Sequence, residues 1–172
     1  MNTPQDPALE HPELSADELL REAGVVFDYG DSATEYEAVR QGAGIVDRED
    51  VAHLVLTGRD PVRMMQGLIT GDLANAPEDR AVYGVMLTPK GRTIAELRAM
   101  KRSAGETTEV WLQLPRAVPE GATSHLRRSV PPLYARWKDV SEDRTMIGVY
   151  GPRAAELLTE ALGQAISPLE ED

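Results

Sequence analysis

Cysteine is absent from all 172 residues, which excludes a disulfide, a thiolate metal site and a thiol nucleophile within the chain. No apolar run approaches the roughly 20 residues that a membrane helix requires. The opening MNTPQDPALEHPELSADELL has neither the basic nor the apolar stretch of a secretory signal. From these absences the expected location is cytoplasmic. Three histidines are present: His11 in an N-terminal arm, His53 in a strand and His125 on a helix. They share no metal-ligand spacing. Gly42 and Gly44 lack the third glycine and the strand–helix setting of a phosphate loop, and no Ser, His and Asp carry a hydrolase elbow or triad signature. No period of about 20 to 50 residues marks a repeat array.

Positive charge is also scarce overall. The net charge of −11 argues against a general nucleic-acid binder, because neutralising phosphates needs a basic face. The distribution is uneven, however. From Lys90 to Lys138 ten Lys or Arg stand against Glu96, Glu106, Glu109 and Glu120, so that segment carries +6 and leaves −17 to the rest. Such a local basic surface can attract a small polyanion. With 41% hydrophobic and 27% charged residues the chain has the composition of a soluble globular protein, long enough for one domain with a real core or one domain plus part of another.

Caps and breakers divide the chain into an acidic arm over residues 1–32, a folded unit over 33–163 and an acidic tail over 164–172. In the arm, Ser15 to Glu18 has capping-box spacing and predicts a short helix to Ala23. Thr34 to Glu37 repeats that signal ahead of a helix ending near Gly42 or Gly44. A strand is expected over Ala52 to Thr57. Asp60 then caps a helix with Pro61 in its first turn and Met64, Met65, Leu68 and Ile69 as its apolar face. Further strands are expected over Glu109–Leu114, Tyr134–Val140 and Thr145–Tyr150, with helices over Val118–Ser129 and from Gly151-Pro152 to Leu162, where Gly163 caps the end. Trp111 and Trp137 are read as packed in or beside the sheet. Strands interleaved with helices and hairpins predict an α+β fold: a mostly antiparallel or mixed sheet with packed helices.

The stretch Tyr83 to Lys101, YGVMLTPKGRTIAELRAMK, is the most informative. Two strand-like runs, Ala81–Leu87 and Thr93–Met100, flank Thr88-Pro89-Lys90-Gly91-Arg92, where Pro presets a turn and Gly accepts positive φ. The hairpin presents one carboxylate, Glu96, among basic residues. Glu96 can accept a hydrogen bond from a ligand or pair with Arg98 or Lys101. Tyr83 can stack on a ring or pack at an edge. Arg92 and Lys90 can meet a ligand carboxylate from the turn. Asp72 can hold a loop by capping backbone amides.

The pattern LTPKGR, then an apolar pair, an acid and Leu, resembles the glycine-cleavage T-protein (GcvT) superfamily of tetrahydrofolate-binding proteins. Tyr36 to Asp47, Leu54 to Asp60, Met64 to Asp72, and the later Asp139-Val140-Ser141 and Gly151-Pro152-Arg153-Ala154 resemble further signatures of that family in order. The resemblance covers about Tyr36 to Leu162. It implies a tetrahydrofolate ligand, with Glu96 facing the folate as the first candidate for a catalytic residue and Tyr83, Arg92 and Asp72 beside it. LTPKGR with PPLYARWKDVSE resembles the YgfZ-like branch, linked to iron–sulfur cluster maintenance and tRNA modification. Any tRNA partner is implied by that resemblance alone. The alternative is the T-protein itself, an aminomethyltransferase to tetrahydrofolate. A third alternative is a non-catalytic interaction module. Relative to the family, Gly71 replaces an asparagine, Leu114 replaces a folate-contacting asparagine, and the sequence spans about half a member. The expectation is an N-terminal half that dimerises, aggregates or needs a missing half or partner chain.

Overall fold

The computed structural model of the chain describes Ser15, residues 28–116 and residues 119–166. The arm over 1–14, the short helix expected from Ser15 to Ala23 (apart from Ser15) and most of the acidic tail lie outside the described residues.

Helix α1 spans Ser32–Gln41. It starts two residues ahead of the expected Thr34 signal because Asp31 is the cap: its carboxylate accepts from the Ala33 and Thr34 amides and from the Thr34 hydroxyl at 2.7 Å. Glu35 reaches back to the Tyr29 amide at 2.7 Å and the Asp31 amide at 3.3 Å. The two acids together satisfy the donors that an opening helix turn leaves free. Gly42 closes the helix.

Gly44–Asp47 forms strand β1, for which the sequence carried no strand signal. It is four residues long and pairs with Ile147–Tyr150, about 100 positions away, so no local hairpin pattern marks it. Strand β2 (Val51–Gly58) follows, then α2 (Pro61–Gln66), capped by Asp60 and opened by proline as the sequence predicts. α2 stops at Gly67, earlier than expected. Leu68 and Ile69 therefore belong to the next segment, where Ile69 bridges to Met86.

The expected hairpin is β3 (Ala81–Leu87) and β4 (Thr93–Ala104). Its turn is locked by the Gly91 amide on the Thr88 carbonyl at 2.9 Å and the Arg92 amide on the Thr88 hydroxyl at 3.0 Å. Gly91 sits at φ 74° with no atom where a Cβ would be, a conformation that costs glycine nothing. β5 (Thr107–Pro115), α3 (Pro119–Ser129), β6 (Ala135–Asp139), a short 3-10 turn (Ser141–Asp143), β7 (Ile147–Tyr150) and α4 (Ala154–Leu162) complete the described chain.

Five strands form one sheet in the order β3-β4-β5-β2-β6, and β1 with β7 forms a separate two-stranded ribbon. All pairings are antiparallel, and the α+β architecture agrees with the sequence reading. Side chains alternate across the strands. On one face Leu54, Leu56, Leu97, Ala99, Val110, Leu112 and Leu114 meet Met65, Leu73, Met86 and, from α3, Ala122 and Leu126 in a single buried cluster. The opposite face carries Tyr83, Glu96, Arg98 and Gln113 over β3, β4 and β5, and the buried Val51, His53 and Val55 on β2.

Candidate functional site

Register brings the polar face together. Tyr83 on β3 stands opposite Arg98 on β4, Arg98 opposite Gln113 on β5, and Gln113 opposite His53 on β2. Glu96 lies one step along β4, opposite Val85, so Glu96 and Tyr83 are diagonal neighbours within reach of long side chains. Tyr83 is 59% exposed. The neighbouring Glu96 carboxylate, an acceptor close to the phenol, raises its pKa above the ordinary value. Neither Arg98 nor Glu96 forms an ion pair among the described residues, and Lys101 turns away to the Ala74 carbonyl at 2.7 Å. Of the two readings the hairpin left open, Glu96 thus lacks its charged surface partners.

A recess of about 130 Å³ opens over this pair, lined also by Arg98, Gln113, Arg48 and Asp50. Arg48 grips Asp50 through two bonds of 2.7 and 2.9 Å and reaches the Tyr150 hydroxyl at 3.0 Å. This fork-to-carboxylate geometry is the strong form of the pair. It raises the Arg48 pKa and lowers that of Asp50, each mainly through their shared hydrogen bonds. Because Tyr150 belongs to β7, Arg48 ties the ribbon to the edge of the recess.

Asp72 accepts from the Asn75 amide at 3.3 Å and its Nδ2 at 2.9 Å; it holds the loop after Gly71, outside the lining of the recess. Arg92 and Lys90 stand exposed at the hairpin tip, also outside it. Gly71 has a packing role: a Cβ there would meet Val82 Cγ1 at 2.6 Å and the Tyr83 carbonyl at 2.7 Å. The missing side chain lets this loop press against the strand that carries Tyr83. Leu114 packs in the core and, with Gln113, also borders the recess.

The sequence singled out Glu96 and Tyr83, named Arg98 only as a possible ion-pair partner of Glu96, and missed Gln113, Arg48 and Asp50. Arg98 was readable, being two positions from Glu96 on the same strand and hence on the same face. The others required the register of β5 on β4 and the approach of the ribbon, which no local pattern encodes.

A second recess, of about 340 Å³, shares Arg48, Val51 and Met146 with the first and extends to His53, Arg116 and Arg144. His53 is 8% exposed. Its amide donates to the Ser141 hydroxyl at 2.9 Å, and that hydroxyl donates to Asp139 at 2.6 Å. His53 Nε2 is buried without a hydrogen-bond partner. Burial first, and then Arg116 and Arg144, lower its pKa below the usual value.

Residues 25–170 match the family described as GCVT N-terminal domain, and the chain belongs to that family. An aminomethyltransferase of Rubrobacter xylanophilus is 29% identical over 162 residues, covering 93% of this chain and 42% of the relative. An aminomethyltransferase of a Nostoc species is 24% identical over 138 residues, covering 79% of this chain and 37% of the relative. The crystal structure of the glycine cleavage system aminomethyltransferase T from Bartonella henselae superposes with a TM-score of 0.68 at 19% identity, over 88% of this chain and 44% of that one; this likeness shows the fold. The chain thus spans about two-fifths of the length of the curated relatives it matches.

Proposed function

We propose that this chain binds a reduced folate on the open polar face of its sheet, and that it serves one-carbon transfer of the aminomethyltransferase kind. The observation that carries the reading is the Tyr83–Glu96 pair, a carboxylate without a charged surface partner beside a largely exposed phenol. A pteridine ring edge offers amino and ring N–H donors, which a carboxylate accepts, and its flat face suits a tyrosine ring. Gln113 and Arg98 add a donor and acceptor pair and a cation on the same face. The residues present therefore fit the group in chemical type.

In this reading Glu96 binds and orients the pteridine, Tyr83 covers one side of it, and the Arg48–Asp50 fork keeps the wall rigid. The folate, when bound, supplies the nitrogen that accepts the one-carbon unit. The names of the relatives favour the aminomethyltransferase over the YgfZ-like alternative, since the Rubrobacter, Nostoc and Bartonella proteins are each named as aminomethyltransferases. The recess is open, and in this reading a partner surface roofs it for catalysis, either further sequence or another chain. The test is isothermal titration with 5-formyl-tetrahydrofolate, repeated with Glu96→Gln. Micromolar binding that the substitution weakens supports the reading. A folded protein that takes up no folate overturns it for this chain.

A further inference from the structure

β6 forms one edge of the five-stranded sheet, and β3, which carries Tyr83, forms the other. Four strand-to-strand steps separate them, about 19 Å at the usual spacing, so the β6 edge is a surface apart from the recess at Glu96. We propose that this edge is a docking site for an extended acidic segment of another protein. The segment adds to the sheet as a sixth strand and carries the alternation acid, apolar, acid.

The backbone supplies the first observation. The Val140 amide donates to the His53 carbonyl at 2.9 Å. With the β2–β6 register, the alternation of an antiparallel ladder turns the backbone groups of Arg136 and Lys138 toward β2. Those of Trp137 and Asp139 therefore face away from the sheet. β2 agrees: the Arg116 amide donates to the Asp50 carbonyl at 2.7 Å, which assigns Leu54 and Leu56 to β5 and leaves Val55 and Thr57 for β6. Among the described residues no strand lies beyond β6, so the N–H and C=O of Trp137 are open to an incoming strand.

The side chains select the partner. A groove of about 370 Å³ runs between the end of α3 and β6, lined by the apolar Val130, Pro132, Ala135 and Trp137 and by two arginines, Arg127 and Arg136, with no acid in the lining. Arg127 lies 6.0 Å over the Trp137 ring and Arg136 is exposed; neither has an ion-pair partner among the described residues. Lys138 meets Asp143 at 3.2 Å, but their side chains are 73% and 64% exposed, and such a pair is weak. The acids at the two ends of the edge are engaged, Asp60 as the cap of α2 and Asp139 on the Ser141 amide and hydroxyl. Trp137 stands opposite Leu56 and packs against the core, so Arg136 and Lys138 on either side of it lean to the other face. On an added strand the residue opposite Trp137 meets the apolar groove, and its two neighbours meet Arg136 and Lys138 as cross-strand pairs. An apolar residue flanked by acids fits that row. A second copy of β6 does not: pairing two such edges about Trp137 sets Arg136 against Lys138, and like charges directly opposite repel.

The test follows the fluorescence anisotropy of a labelled, end-blocked peptide, Glu-Val-Glu-Val-Glu-Val-Glu, titrated with the full 172-residue chain. Two control peptides carry Lys in place of Glu, or N-methylated valines that lack the N–H groups a bonded strand turns toward β6. The variants are Arg136→Glu and Arg127→Ala, with thermal melts to check folding. The acidic peptide binds and both controls do not. Loss of a charge-assisted contact predicts that Arg136→Glu weakens the peptide roughly tenfold to a hundredfold, and Arg127→Ala weakens it in the same direction. A folded wild-type chain that ignores the acidic peptide overturns the proposal. Equal binding of the N-methylated peptide overturns it too, because charge alone then accounts for the contact. Full affinity in folded Arg136→Glu and Arg127→Ala moves the contact elsewhere and has the same consequence. So does a dimer in light scattering that Arg136→Glu disrupts, which gives the edge to a second copy of the chain.

Discussion

The two faces of the five-stranded sheet are built from the same strands and differ in almost everything else. On β4, Ala95, Leu97 and Ala99 are buried while Glu96 and Arg98 between them are exposed. On β5, Val110, Leu112 and Leu114 are buried while Trp111 and Gln113 alternate with them toward the other side. The core face is closed by α2, α3 and the segment after α2, and its tolerance for change is set by packing density. The polar face is open over β3 and β4 and covered near β2 by the 3-10 turn. The buried core is thus concentrated on one side of the sheet and the proposed ligand site lies on the other, so in that reading a substitution one residue along a strand changes which property is lost.

Leu54→Ala or Leu112→Ala, both fully buried in the wild type, tests the first half of this contrast. Each is expected to cost about 2–5 kcal/mol in urea unfolding, against no more than about 0.5 kcal/mol for Gln113→Ala. Equal losses at Leu112 and Gln113 would break the division between the faces. Gly71→Ala forces a Cβ against the backbone of Tyr83 and is expected to cost about 1–3 kcal/mol. Because the strain falls on the strand bearing Tyr83, folate affinity drops as well, and a stable variant with normal affinity would detach the loop from the site.

Glu96→Gln reverses the pattern. The unfolding midpoint should move by no more than about 0.5 kcal/mol, while loss of a charged acceptor weakens reduced-folate binding roughly tenfold to a hundredfold. A large stability loss here would mean that Glu96 is structural.

The smallest effects are with pH. Tyr83 has a raised pKa chiefly through Glu96, so its contribution to stability is present below the ordinary value near 10.0 and fades as pH rises through the raised one. Ultraviolet titration should find Tyr83 ionising later in the wild type than in Glu96→Gln. His53 and His125 have lowered pKa values, mainly from burial. Their contribution is full above about 6.5, the ordinary value, and is lost as pH falls through the lower folded values. His53→Gln should flatten part of that acid limb in melts between neutral pH and pH 5, and an unchanged limb would assign it elsewhere.

Much of the fold was legible because its signals are local. The Asp60-Pro61 start of α2, the β3–β4 hairpin around Pro89 and Gly91, and the Gly163 end of α4 each rest on a backbone preference that a few residues carry. The elements that were missed or misplaced depend on distant partners. β1 exists because β7 pairs with it. α2 ends at Gln66 because the following segment is drawn into the bridge between Ile69 and Met86.

The candidate site divides in the same way. By itself the sequence determined that Glu96 and Tyr83 flank a tight hairpin, and that alternation would place Arg98 with Glu96, since a strand's period of two is a property of the backbone. The tertiary structure decided that Gln113 and His53 continue that row, that Leu114 turns inward, that Asp72 and Arg92 stand apart from the recess, and that Arg48 closes its edge. Those outcomes follow from strand register and from the docking of the ribbon. Both are set by burying the apolar face as a whole, and no short stretch of sequence contains that information.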